Sequence, residues 1–370
     1  MRGWLLRTAV RRSIVEIRYV TPVLPAAAPP PVAALYDQVE RDFGVLAPPV
    51  VLHSPEPDAL AACWAMLRET LVAAGRVDRG VKEAVAAAVS VANRCPYCVE
   101  VHGTALDALA GGPDATAVAR DRVDLVTDPE VRRMATWARH SGVREPSDRP
   151  APPFGPAQAP EVIGVAVTFH YINRMVNIFL DDSPLPAAAP VAVQSALRRL
   201  LRTVMRHTGR TARAAGTARG QLPPAALPAD LAWARGSAPV ADAFARAGAA
   251  IEAAGARALA PEVRDRVVAE VSRWDGRPLG PSRSWTRATV ADLPAAQRPV
   301  ARLALLAALA SYQVDASVID DARGAGLDDR GLIAATSWAS LTAARRIGTW
   351  MWAGAGPATG SRTPGQPAER

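Results

Sequence analysis

Between Glu83 and His102 the chain reads EAVAAAVSVANRCPYCVEVH, and this stretch restricts the fold more than any other. Glu83 to Ala92 is rich in Ala and Val, holds no breaker and reads as a buried helix. Asn93-Arg94 is the break, and Cys95-Pro96 opens a second helix. Proline suits a first helical turn, and the residue before it is pushed out of the α region, so Cys95 becomes the N-cap. In that second helix Cys95, Cys98 and His102 stand at i, i+3 and i+7 and share one face. One unbroken helix would hold Glu83 ~18 Å from Cys95. Folded as an antiparallel hairpin, Glu83 lies about 13 Å back from the turn and His102 about 10 Å beyond it. The carboxylate then stands level with the imidazole, not with the thiols.

That arrangement suits a proton relay. The carboxylate orients the imidazole, and the imidazole takes a proton from Cys98, directly or through water. A free thiol with a pKa of ~8.5 is only a few per cent ionised at neutral pH. A helix N-terminus, a CxxC partner and a nearby base are expected to lower Cys98 to ~7. Other readings of the same residues exist. Two cysteines and a histidine could take zinc, with Glu83 or Cys63 as the fourth ligand, but one helical face rarely supplies so closed a cage. Glu83 alone could be an acid favoured at a helix start.

The pattern E-x11-C-x2-C-x3-H, written here as Glu83, Cys95, Cys98 and His102, resembles the active-site signature of the alkylhydroperoxidase D family. That family belongs to the carboxymuconolactone-decarboxylase-like superfamily. The likeness runs from about Ala34 to Leu180 and includes LYDQVERDFG, HSPEP and FHYINR. It implies an all-α helical bundle in which Cys98 is the peroxidatic cysteine, Cys95 resolves it, and Glu83 and His102 relay protons. Tyr97 stands where alkylhydroperoxidase D carries a histidine between the cysteines. The resemblance implies a thiol-dependent peroxidase or disulfide oxidoreductase acting on organic hydroperoxides. Its partners would be a small-molecule hydroperoxide and an external reductant, a protein dithiol or a low-molecular-weight thiol, with no organic cofactor and no metal. The superfamily also contains a decarboxylase, whose chemistry runs without the CxxC pair; a redox sensor is the other alternative.

Apolar residues make up 49% of the chain but aromatic ones only 5%, which favours helices built from Ala, Val and Leu. Three cysteines, two of them in CxxC, do not make a secreted disulfide framework. Cys63, at helical spacing with Ala and Leu, reads as a core residue. Tyr97, His170, Asn173 and Arg174 are candidate pocket residues, although His170 equally suits helix packing. The net charge of +8 is concentrated in two segments. Residues 1–18 hold five arginines, and seven more fall between Arg198 and Arg219 with no acid among them. Such a run could meet anionic lipid or nucleic acid, but no aromatic residue interleaves to stack bases, so a solvated helix face and no nucleic-acid partner are expected. No run of 18 uncharged apolar residues exists and the N-terminus has no clean hydrophobic segment, so a cytoplasmic protein without a membrane span is expected.

The chain divides by composition into a basic arm and Pro-rich linker (1–33), the catalytic domain (34–182), a Pro/Ala-rich linker with the arginine helix (183–229), a second helical region (230–352) and a disordered tail (353–370). The second region reads as an internal repeat. Carrying Val81 onto Val263 aligns VKEAVAAAVSVANRCPYC with VRDRVVAEVSRWDGRPLG, six of eighteen positions being identical. In that alignment Cys95, Cys98 and His102 face Arg277, Gly280 and Ser284. The second copy would keep the hairpin, lack every thiol, and cover a surface that single-domain members bury by forming homo-oligomers.

Overall fold

Every regular element in the computed structural model, which describes residues 14–145, 150–185 and 189–355, is helical; no strand occurs among the described residues. Residues 1–13, most of the basic arm, and residues 356–370, most of the tail, fall outside it. The first half contains α1 (Pro30–Phe43), α2 (Pro57–Leu67), α3 (Arg79–Ala92), α4 (Pro96–Leu109), α5 (Pro129–Arg139) and α6 (Ala159–Phe179). After it comes the arginine helix α7 (Val191–Arg210). The second half contains α8 (Ala238–Ala258), α9 (Pro261–Arg273), α10 (Arg298–Leu309), α11 (Ala316–Gly324) and α12 (Asp329–Ala355).

Helix α3 is the axis of the first half. Asp78 caps it by accepting from the Gly80 N–H at 2.7 Å. Every residue from Gly80 to Ser90 is buried, and the helix packs against α4, α5 and α6. Small Ala and Val side chains are what allow three neighbours to close on one helix. Lys82 Nζ lies 2.7 Å from Glu161 and ties the start of α3 to the start of α6. Helix α6 has the length and hydropathy of a membrane span, yet it carries Glu161, His170, Asn173 and Arg174 and is buried within the protein. It is a core helix.

One continuous core runs through both halves. Helix α2 lies on α8 and α6 lies on α12, so each half covers the other's apolar faces. The inner packing of the first half also recurs in the second. Where α3 packs on α4 and α6, α10 packs on α11 and α12. The helix starts coincide in sequence too, because the shift that carries Arg79 to Arg298 carries Cys95 to Val314, beside the N-cap Asp315 of α11.

This corrects the register expected from the sequence. Val263–Gly280 forms α9 and then a non-helical run to Ser284, so Pro278 opens no helix and no hairpin forms there. The same shift carries Glu83, Cys95, Cys98 and His102 onto Arg302, Val314, Ser317 and Asp321. Arg302 and Asp321 form an ion pair at 3.4 Å, in the place of Glu83 and His102 with the charges exchanged. The sequence alignment followed identical small residues, whereas packing is set by which helix occupies the centre of each half.

The segment after Asp182 is more than a linker. Helix α7 lies on α4 and α1. Its Arg198 donates to Glu100 at 2.7 Å, and Arg202 pairs with Asp107, so two arginines dock the helix onto the acids of α4. Gly44 ends α1 with φ +105°, and a Cβ there would stand 2.6 Å from Val204. Only glycine admits both that backbone and the close passage of α7.

Candidate active site

The α3–α4 turn builds the site as its sequence indicates. Arg94 takes a left-handed conformation (φ 52°), and Cys95 occupies the N-cap position of α4 with no side-chain capping bond, ahead of Pro96 at its first position. Glu83 is fully buried and level with His102. His102 Nδ1 lies 2.7 Å from Glu83 Oε2; a carboxylate only accepts, so Nδ1 carries the proton of this bond, and in the neutral ring Nε2 is an acceptor. The other carboxylate oxygen, Oε1, takes two donors from Arg79, Nε at 2.8 Å and Nη2 at 2.7 Å. Burial alone would push the Glu83 carboxyl up, but the charges of Arg79 and His102 and their hydrogen bonds hold it below its ordinary value. The His102 ring stands edge-on to Phe169 with centroids 4.5 Å apart.

Cys98, His102 and Tyr97 line a cavity of about 70 Å³ whose remaining wall is apolar: Phe43, Val45, Leu67, Phe169, Ile172 and, from α7, Leu197, Leu201 and Met205. Helix α7 is therefore the roof of the cavity. Its apolar stripe faces the thiol and its arginines face solvent or α4. Cys95 lies on another side, in an open groove of about 560 Å³ with Arg94, Glu100 and Asp107.

Two expectations change. The Cys98 thiol is not lowered toward neutrality. Burial pushes it well above its ordinary value, the hydrogen bond and charge of Cys95 push it further, and only a hydrogen bond from Asn173 pulls it back. Desolvation, the largest cause, outweighs the helix start and the neighbouring groups. Nor is His102 among the partners of the resting thiol; those are Cys95 and Asn173. The second change concerns the other pocket candidates. Tyr97 lines the cavity, whereas His170, Asn173 and Arg174 do not. Asn173 lies behind the thiol, giving Nδ2–H to Ser90 Oγ at 3.1 Å and accepting from Asn93 at 2.9 Å. His170 is a packed core histidine between Ser141 Oγ (3.0 Å) and Asn93 (3.1 Å), held neutral by burial and by the Arg174 charge. Arg174 belongs to another cleft.

Cys63 is fully buried in the core and burial pushes its thiol up. No group of three or more His, Cys, Asp or Glu side chains able to hold a metal occurs among the described residues. Arg79 was missed in the sequence, although its i, i+4 relation to Glu83 is a readable signal. The α7 roof left no comparable signal, because it depends on a contact between distant segments.

Residues 57–140 match the carboxymuconolactone decarboxylase family. Over 339 residues the chain is 40% identical to the alkyl hydroperoxide reductase Rv2159c of Mycobacterium tuberculosis, a match spanning 92% of this chain and 96% of that protein. A crystal structure described as the alkylhydroperoxidase AhpD core of an uncharacterized peroxidase-related protein from Ralstonia eutropha JMP134 is also similar. It is 22% identical, covering 53% of this chain and 98% of that one, with a TM-score of 0.39.

Proposed function

The chain belongs to the carboxymuconolactone decarboxylase family, and from that premise we propose that it is a thiol peroxidase reducing organic hydroperoxides through Cys98 and Cys95. The observation that carries this reading is the shared cavity: Cys98 and His102 line one apolar pocket while Glu83 holds His102 Nδ1 from behind. Likeness to a protein named alkyl hydroperoxide reductase supports the same reaction class.

In this mechanism the resting Cys98 is a protonated thiol in a dry pocket. When the hydroperoxide enters, His102 Nε2 accepts the thiol proton, through the substrate or one water, and the imidazolium is stabilised by Glu83. The Cys98 sulfur attacks the outer oxygen and the O–O bond breaks. The alkoxide leaves with the proton from His102 as an alcohol, and Cys98 becomes a sulfenic acid. The Cys95 thiol then displaces water from that sulfur, closing the Cys95–Cys98 disulfide. Two electrons from an external dithiol, or from two thiols, restore the pair. The second half, with Val314 and Ser317 at the cysteine positions, is read as a thiol-free copy that serves as a packing partner.

Stopped-flow oxidation of the reduced protein by cumene hydroperoxide, with thiols counted before and after, tests the reading. Two thiols should be lost per peroxide consumed. Cys98→Ser should abolish the reaction, and Cys95→Ser should allow one turnover ending in a sulfenic acid trapped by dimedone. An undiminished first turnover in Cys98→Ser would exchange the two roles, and no thiol loss in the wild type would end the peroxidase reading.

A further inference from the structure

A third cavity, about 370 Å³, opens where the α3–α4 turn of the first half meets the α9 and α10 ends of the second. We propose that this cleft binds a small organic anion bearing a flat ring, at a site separate from the dithiol and independent of the peroxidase reading.

The two walls differ in chemistry. The first half supplies guanidinium groups from Arg94, Arg139 and Arg174, and the second half supplies the rings of Trp274 and Tyr312. Arg139 is already committed, bidentate, to Asp121 at 2.6 and 2.8 Å. The other two are not. Arg174 is only 7% exposed, and no carboxylate among the described residues pairs with it. Its Nε donates to the Ala308 carbonyl at 2.8 Å and its Nη1 to the His170 carbonyl. Ala308 lies in the last turn of α10, whose negative end compensates part of the charge. A buried cation held by two carbonyls and a ring face, with no carboxylate among the described residues, is still costly, and burial lowers its pKa to about 10. An anion in the cleft would supply the missing counter-charge.

Arg94 provides the second donor. It is exposed, sits in the left-handed turn, and no carboxylate among the described residues pairs with it either. Its guanidinium lies 5.7 Å from the Tyr312 ring centre, as that of Arg174 lies 5.8 Å from Trp274. Each cation therefore stands beside an aromatic plane, so a charged group on the arginines places an attached ring within reach of a π face. The Trp274 indole N–H is taken by the Arg277 carbonyl at 2.8 Å and its ring leans on Trp350 with centroids 5.8 Å apart, so it meets a ligand through its remaining ring surface and not by hydrogen bonding. The rim is held in place as well: at Gly276 (φ +91°) a Cβ would stand 1.9 Å from the Gly142 carbonyl, so the two halves meet there backbone to backbone. The volume lies in the ~300–1,000 Å³ range of small-molecule sites, which recur at such interfaces.

Calorimetric titration of the full-length reduced protein with AMP, benzoate, inorganic phosphate and adenosine tests the proposal. At least one of the two ring anions should bind at a ratio of one to one, and which of them does distinguishes phosphate from carboxylate as the charged group. Phosphate, without a ring, and adenosine, without a charge, should each bind roughly tenfold more weakly or not at all. Arg94→Gln should weaken the ring anion about tenfold or more while leaving the melting temperature unchanged, and Trp274→Leu should erase the preference for a ring. The proposal is overturned if neither ring anion binds at millimolar concentration, if phosphate binds as tightly as the ring anion that does bind, or if Arg94→Gln binds that anion like the wild type.

Discussion

Replacing Glu83 with glutamine should disable the base without dismantling the site. Both Arg79 donors converge on Oε1, and arginine cannot accept a hydrogen bond. The glutamine must therefore turn its oxygen to Arg79 and its NH₂ to His102 Nδ1. A donor now faces Nδ1, so Nδ1 becomes the acceptor and the ring proton moves to Nε2, the atom needed as base. The opposite flip would set the NH₂ against two guanidinium donors at 2.7–2.8 Å in a fully buried position, which is worse. Loss of general-base catalysis alone costs ~10²-fold, and a reversed histidine tautomer up to ~10⁴-fold. The rate constant for dithiol oxidation by cumene hydroperoxide should fall within that range. Stability should drop by roughly 1–3 kcal/mol, since Arg79 exchanges a carboxylate for an amide oxygen and loses its counter-charge while no hydrogen bond is orphaned. Stopped-flow rates from pH 6 to 10, with nitrogen-15 spectra of the His102 ring, are the assay. A rate within about twofold of wild type, with the proton still on Nδ1, would falsify the relay.

The Cys98 thiol should show no thiolate absorbance at neutral pH, its titration in the reduced protein lying above the ordinary ~8.5; a midpoint near 7 would mean that the pocket is wet. Leu201, 7% exposed in the α7 roof, should cost about 2–3 kcal/mol in urea unfolding when changed to alanine, and a loss below about 0.5 kcal/mol would show that α7 does not seal the cavity. His53, fully buried between Val50 O and the Tyr171 hydroxyl, is lowered by burial to about 4. A depressed histidine stabilises the fold above its unfolded pKa of ~6.5, and that contribution, up to about 3 kcal/mol, is lost as pH falls toward 4. Urea midpoints should decline over that window, less steeply in His53→Gln; parallel slopes would refute the assignment. Ending the chain near Asp182 should expose the faces of α2 and α6 that α8 and α12 cover, and the product should self-associate in sedimentation, whereas a well-behaved active monomer would remove the second half's role as partner.

The hairpin and its register were settled locally. Ala and Val without a breaker make α3, Asn93-Arg94 ends it, and Cys95-Pro96 starts α4, because capping and proline geometry act between neighbours in sequence. Those few rules place Glu83 beside His102, and the i, i+3, i+7 spacing puts both thiols near the same helix start. What the residues could not give was anything that depends on distant segments meeting. The Cys98 thiol is raised instead of lowered because α6 and α7 close over it, and desolvation has no local signature. Identical small residues suggested a hairpin over Val263–Gly280, where the folded chain has one helix and a non-helical run. The arginine run read as a solvated face, and the apolar stripe of α7, which carries five of its seven arginines, became the roof of the pocket. Arg174 read as a candidate residue of the thiol pocket, yet the packing of α6 on the second half turned it into a different cleft. Local sequence fixes which groups can react; their solvation and their neighbours follow from long-range burial, which only the folded chain decides.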